Sequence, residues 1–309
     1  MTGAFLTALF FASNAVCARR AALHYGGTTG NFLRLLLAVA LLAAWAHAAG
    51  QGVGGGAFAW FFVSGAVGFG LGGLTMFHAL PLLGSNLSML IVQCGSAVAA
   101  ALIEWLWLGS RLSPAQAGFA ALTLTGVVVA LIGPVGPISP IRPIAAKRGH
   151  AMGLALAIIS ACAQGCGAVI SRRAFGLLHT HRFFMDGATS AYQRALGGLA
   201  VGTLALLVVR WWPGAEPRNL EAAVSAPAQK LPPWVWVVLN TLLGPVLGVT
   251  CYQWALRSNP AGVVLPIVAT APLLTVPIAW MLERSRTTPR FWIGAVLAVF
   301  GVAGLAVVK

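Results

Sequence analysis

The chain has 309 residues, 59% of them hydrophobic and only 8% charged. A soluble domain carries about a quarter charged residues, so a water-facing globule is excluded and the composition describes a polytopic membrane protein. The formal net charge of +14 excludes less: the cations stand at the ends of apolar runs, where Lys and Arg reach headgroups, and with no basic stripe among exposed aromatics no nucleic-acid partner is expected.

A helical span needs about 20 apolar residues. Continuous apolar runs, as opposed to weak alternation, favour helices over a closed barrel. In chain order the runs predict spans at roughly 2–18, 30–49, 57–79, 84–107, 114–133, 151–171, 188–210, 234–256, 261–282 and 289–308. Between the fifth and sixth lies a Pro-rich stretch, Gly133–Gly149, in which Pro134, Pro137, Pro140 and Pro143 recur every third residue. That is the period of a polyproline II helix, and an ordinary Pro-rich loop fits as well. The longest other loop, about Trp211–Pro233, is hydrophilic enough for a short surface helix. Cys17, Cys94, Cys162, Cys166 and Cys251 fall within or at the edges of spans, and their spacing favours small packing residues over a metal site.

The spans repeat. Residues 15–21 read AVCARRA and residues 168–174 read AVISRRA, at an offset of 153. Arg34 and Arg194 each come early in the next run. Phe77–Leu80 matches Gln253–Leu256, and Leu112–Pro114 matches Thr287–Pro289 before a final Gly-bearing run. The order of these pieces predicts two five-helix units, 1–133 and 150–309, joined by a linker at 134–149. An odd number of spans per unit inserts the second unit upside down, placing Arg19–Arg20 and Arg172–Arg173 on opposite sides of the bilayer. The predicted fold is therefore an all-α membrane protein of ten transmembrane helices in two inverted repeats, an architecture that places a substrate site near the midplane.

These motifs resemble the drug/metabolite transporter superfamily, EamA type. The first span's Phe11-Ala12-Ser13-Asn14-Ala15 is similar to the family's W-G-S-N-F. Arg34-Leu35-Leu36-Leu37-Ala38 and Arg194-Ala195-Leu196 match its R-F-x-x-A at the Arg. Ala79-Leu80 and Ala255-Leu256 match its third-span A-L. Leu108-Gly109-Ser110-Arg111 lacks the Glu of the family's L-G-E-R, and Leu282-Glu283-Arg284 lacks its Gly. The resemblance implies a multi-pass permease of the bacterial inner membrane, with the lipid bilayer and a small molecule as its partners. It implies both chain ends in the cytoplasm, whereas more cations fall on the opposite side, which the positive-inside rule would place there.

Only five acids occur: Glu104, Asp186, Glu216, Glu221 and Glu283, none at a predicted span centre. Intramembrane cation sites and proton relays usually use a buried carboxylate, so neutral, zwitterionic or anionic substrates are expected, and lipophilic cations are not. The candidate substrate-binding residues are Asn14, His78, Gln93, Gln164, Tyr252 and Trp254, all polar or aromatic groups within spans. For Asn14 and Gln93, cavity lining and interhelical packing are both open. His78 and Trp254 occupy equivalent positions in the two units, although a lone intramembrane His more often packs through a hydrogen bond. Arg34 and Arg194 are expected to snorkel, an anion-attracting mouth being the alternative. Pro266, Pro272 and Pro277, with Gly244-Pro245, predict two bent neighbouring helices in the second unit, a pattern that suggests a moving gate, and no comparable prolines interrupt spans three and four.

The expected function is secondary transport of a small metabolite, amino-acid-like, by alternating access, in a monomer without cofactor, metal or catalytic residues. No nucleotide-binding motif occurs that would serve an ATP-driven pump. The rivals are a membrane-embedded enzyme of lipid metabolism, which the scarcity of acids disfavours, and a membrane scaffold.

Overall fold

The computed structural model describes residues 1–131, 147–211, 231–274 and 289–308, with the side chains of Ser85, Asn86, Leu131, Lys147 and Arg148 outside the description. Every regular element among these residues is a helix. In chain order the helices are α1 Thr2–Tyr25, α2 Gly27–Ala48, α3 Phe58–Leu83, α4 Ser85–Leu108, α5 Pro114–Leu131, α6 Lys147–Thr180, α7 Gly187–Trp211, α8 Pro233–Ser258, α9 Ala261–Leu274 and α10 Pro289–Val307. Seven of the described helices are long and apolar enough to cross a membrane, and Pro114–Ala130 and Ala261–Leu274 are shorter apolar helices. The chain is an integral, multi-pass membrane protein. Its outward faces carry Leu204, Leu207 and Val208 on α7 and Val299 and Phe300 on α10, residues that cost nothing against lipid tails.

Two boundaries differ from the sequence reading. Helix α1 continues through Arg19 and Arg20 to Tyr25, and α6 continues through Arg172 and Arg173 to Thr180. The Arg-Arg steps therefore lie inside helices. Arg19 is buried, and Arg20 stacks over Trp236 of α8 at 4.2 Å. The charges mislead because a guanidinium that finds a protein partner does not end a helix. Helix α6 also begins at Lys147, inside the expected linker 134–149; the proline repeat itself, the 212–230 stretch, Pro277, Glu216, Glu221 and Glu283 lie outside the described residues. Single glycines make the tightest joints. Gly26 (φ 79°) links α1 to α2 and Gly84 (φ 82°) links α3 to α4, backbone conformations that favour glycine.

Helices α3 and α8 are each interrupted by a π-helical stretch, Ala66–Leu71 and Leu242–Gly248. Both begin at the same register of the duplication, 176 residues apart. Pro245 accounts for the second, since it cannot donate to the helical ladder. The first has no proline, and Pro81 is a separate proline inside α3 near its end. The third span is thus interrupted without a proline: the run Gly68, Gly70, Gly72 and Gly73 allows the widened turn where a proline does so in α8. Such stretches concentrate at functional sites.

The packing is built on small residues. Helix α5 lies against α10, α4 against α6 and α9, α2 against α7, α3 against α6 and α7, and α1 against α8 and α9. At α5–α10, a Cβ added to Gly294 would collide with the backbone of Ala130 and Gly126. In lipid no hydrophobic effect drives helices together, so this close approach supplies van der Waals contact instead. The largest core cluster joins Phe61 of α3, Phe175 of α6 and Leu256 of α8 to the buried face of α9.

Candidate functional site: a buried polar core around two arginines

Arg34 of α2 and Arg194 of α7 are 7% and 2% exposed. They do not snorkel; each turns inward against α3. Arg34 stacks over Phe77 at 4.7 Å and its Nε donates to Asn31 Oδ1 at 3.0 Å. A Cβ on Gly73 would stand 2.5 Å from its Nη2, so the missing side chain makes room for the guanidinium. Arg194 stacks over Phe69 at 4.8 Å and lies 5.9 Å from the ring of Tyr252. Gly68, within the π-helical stretch, clears its Nη2 in the same way. Among the described residues neither guanidinium has a carboxylate partner.

From Arg194 a hydrogen-bonded chain crosses four helices. Its Nη1 donates to Gln253 Oε1 of α8 at 3.2 Å, and Gln253 Nε2 donates to Ser171 Oγ of α6 at 3.2 Å. Ser171 and Ser64 of α3 are 2.8 Å apart, and Ser64 Oγ donates to the Gly167 carbonyl at 2.6 Å. Because Ser64 gives its only proton to that carbonyl, Ser171 donates to Ser64 and accepts from Gln253. Every member is buried. Around this chain are groups with unmet capacity: Arg194 Nε, Asn31 Nδ2, Asn14 Oδ1 and both polar atoms of Asn240 are buried without a hydrogen-bond partner. Such groups cost about 1–3 kcal/mol each, and these five, of eleven such atoms among the described residues, join the two buried guanidiniums and the serine–glutamine chain in one polar centre.

The six residues singled out from the sequence fall unevenly around it. Asn14 is buried on α1 and abuts Gly244 in the π-helical stretch of α8. Tyr252 is buried between Arg194 and Phe11, its ring centroid 6.5 Å from that of Phe11. Gln164 donates to Ser160 Oγ at 3.1 Å beside Met76, at the α3–α6 contact. Gln93 is buried on α4, its carbonyl accepting from Ser96 Oγ. His78 bonds through Nδ1 to the Leu74 carbonyl of its own helix at 2.8 Å and fills the space left by Gly27. Trp254 is 47% exposed, beside Gly3 and Gly187. Tyr252 and Asn14 thus approach the polar centre, whereas His78 bonds within its own helix and Trp254 is exposed. Ser64, Ser171, Asn31, Asn240 and Gln253, with Arg34 and Arg194, are members of this centre beyond the six. The usable signal was in the sequence: Arg34 and Arg194 are two intramembrane cations in equivalent places, each facing a glycine-rich helix.

No curated protein matches the chain. A solved structure described only as "Crystal structure of protein" is similar over 98% of this chain and 96% of its own, with TM-score 0.68 and 21% identity, which establishes a shared fold. A family model described as the EamA-like transporter family matches residues 1–132 and 151–307, and the chain belongs to that family.

Proposed function

We propose that this protein is a secondary transporter of the bacterial inner membrane that moves a small zwitterionic or anionic metabolite, amino-acid-like in size, by alternating access. The observation that carries the substrate class is the burial of Arg34 and Arg194 without a carboxylate among the described residues. An unpaired buried guanidinium is costly, and a substrate carboxylate entering beside it would offset that cost with bidentate, charge-assisted hydrogen bonds. A permanent lipophilic cation would meet repulsion at the same place.

The proposed arrangement is ten transmembrane helices in two inverted repeats. Its support is the contact pattern: exchanging each helix for the one five places away turns α1–α8 into α6–α3, α4–α6 into α9–α1 and α3–α7 into α8–α2, and each of these pairs packs. Pairs α2–α7, α4–α9 and α5–α10 exchange into themselves. The π-helical stretches, one per repeat, are the proposed flexing points. In a cysteine-free background, His24→Cys and His181→Cys, both at exposed positions, are expected to label from opposite sides of the membrane; labelling from one side alone would refute the inversion.

Proteoliposome uptake tests the substrate class. Labelled amino acids and small carboxylates are expected to accumulate above protein-free vesicles, and tetraphenylphosphonium is not. Robust tetraphenylphosphonium uptake with none of any carboxylate would overturn the proposal.

A further inference from the structure

Away from the polar core, the ends of α4, α6 and α8 and the α6–α7 connection enclose a cleft of about 1190 Å³. Five basic side chains line it, Arg172, Arg173, His179, Arg182 and Arg257, and no acid does. The two acids nearby are already committed. Glu104 lies below, with Oε2 accepting from the Gly262 N–H at 3.0 Å and Oε1 3.8 Å from Arg172. Asp186 caps α7, accepting from the Ala188 and Thr189 N–H groups at 2.9 Å, and also takes a bond from Trp45. Arg172 spends its Nη1 on the Leu256 and Arg257 carbonyls. Arg173 and Arg182 are exposed, and Arg257 stacks on Phe184 at 4.4 Å; none of these three has a carboxylate partner among the described residues.

Arg182, the one described non-glycine residue with positive φ (53°), is the left-handed cap that ends α6: its N–H donates to the His179 carbonyl at 3.1 Å and the Phe183 N–H to the Leu178 carbonyl at 2.9 Å, the usual close of a helix. One further feature separates this cleft from an ordinary basic surface. The rim is aromatic: Trp107 and Phe184 are exposed beside the cations, a combination suited to the headgroup level of a bilayer. Like charges gathered in a concave pocket repel one another, and an anion between them removes that cost. Guanidinium groups match phosphate oxygens in pairs.

We propose that this cleft is a binding site for a phosphate monoester or diester group, presented either by an anionic lipid headgroup or by a water-soluble phosphate. The cleft's lining shares no residue with the hydrogen-bonded chain from Arg194 to Ser64, and the proposal does not depend on the substrate reading above.

The test uses the full-length protein in phosphatidylcholine nanodiscs, with melting temperature as the readout. One arm adds inorganic phosphate against sodium chloride of equal ionic strength. The other replaces part of the phosphatidylcholine with phosphatidylglycerol. A saturable rise in melting temperature is expected in at least one arm: the first identifies a soluble phosphate, the second a lipid headgroup. The double variant Arg173→Gln, Arg182→Gln is expected to weaken that response about tenfold, the loss of roughly one charge-assisted hydrogen bond. Arg111→Gln, an exposed cation on the neighbouring α4–α5 connection outside the cleft, is expected to leave it intact. If the double variant melts without ligand well below the parent, Arg173→Gln alone and native mass spectrometry of retained phosphatidylglycerol take its place. Equal responses in the cleft variants and Arg111→Gln would reduce the site to diffuse attraction and overturn the proposal, as would no saturable rise in either arm.

Discussion

Replacing Arg194 with methionine is expected to reduce uptake of a carboxylate substrate at least about a hundredfold while the protein remains folded. A charged hydrogen-bonded contact is worth roughly 1.5–3 kcal/mol, and a lost bidentate pair lies at the top of that range or above, which at about 1.4 kcal/mol per tenfold amounts to about a hundredfold or more. The stability consequence is separable. Methionine keeps the volume against Phe69 and Tyr252 and removes a buried charge that has no carboxylate partner among the described residues, so melting temperature is expected to hold or rise. Gln253 Oε1 loses its donor, which trims that gain. Arg194→Lys is expected to recover little transport, because a point charge cannot reproduce the paired N–H geometry. Parallel measurement of melting temperature and uptake on the purified variants decides between roles. A purely structural Arg194 would give a lower melting temperature with the folded fraction transporting at the parental rate.

The second large effect concerns Glu104, which is 2% exposed. Its Oε2 accepts from the Gly262 N–H in the first turn of α9, where the helix dipole favours negative charge. Its Oε1 stands 3.8 Å from Arg172 Nε, and Arg172 in turn satisfies the carbonyls of Leu256 and Arg257 near the end of α8. One carboxylate therefore joins α4 to α9 and, through Arg172, α6 to α8. Glu104→Ala strands the Gly262 N–H and leaves Arg172 without its counter-charge, which is expected to cost about 3 kcal/mol. Arg172 retains a 27% exposed side chain, so solvent screens part of the loss and keeps the figure below the full burial penalty. Glu104→Gln keeps an oxygen for Gly262 and loses only the charge, for about 1–2 kcal/mol. The expected order of unfolding midpoints in mild detergent is parent, Glu104→Gln, Glu104→Ala. An alanine variant as stable as the parent would show that this node does not hold the four helices.

The amino-acid sequence by itself determined the class of the molecule. Few charges and long apolar runs leave membrane helices as the one fold compatible with backbone satisfaction, and the run positions agree with the described helices except where Arg-Arg steps intervene. The AVCARRA and AVISRRA pair, the equivalent arginines and the shared Ala-Leu steps were enough to point to the family that the comparison established. Asn14 was legible as an amide deep in a span that needs a partner, whereas Tyr252 read equally as a wall for a ring-bearing substrate or an interface anchor. The rest was decided by contacts between residues far apart in the chain. Whether Arg34 and Arg194 reach the headgroups or turn inward depends on the room that Gly73 and Gly68 leave on α3, and the linear spacing within α2 and α7 does not encode that room. The π-helical stretch of Ala66–Leu71 lacks the proline that announces its counterpart at Leu242–Gly248; it follows from how a glycine-rich segment packs against α6 and α7. His78 and Trp254 looked alike as equivalent positions, yet one bonds to its own helix and the other faces outward, since equivalent register does not give equivalent neighbours. The link from Arg194 through Gln253 and Ser171 to Ser64 exists only where four helices meet, because hydrogen bonds of about 3 Å are set by the approach of backbones, and small residues at the crossings set that approach.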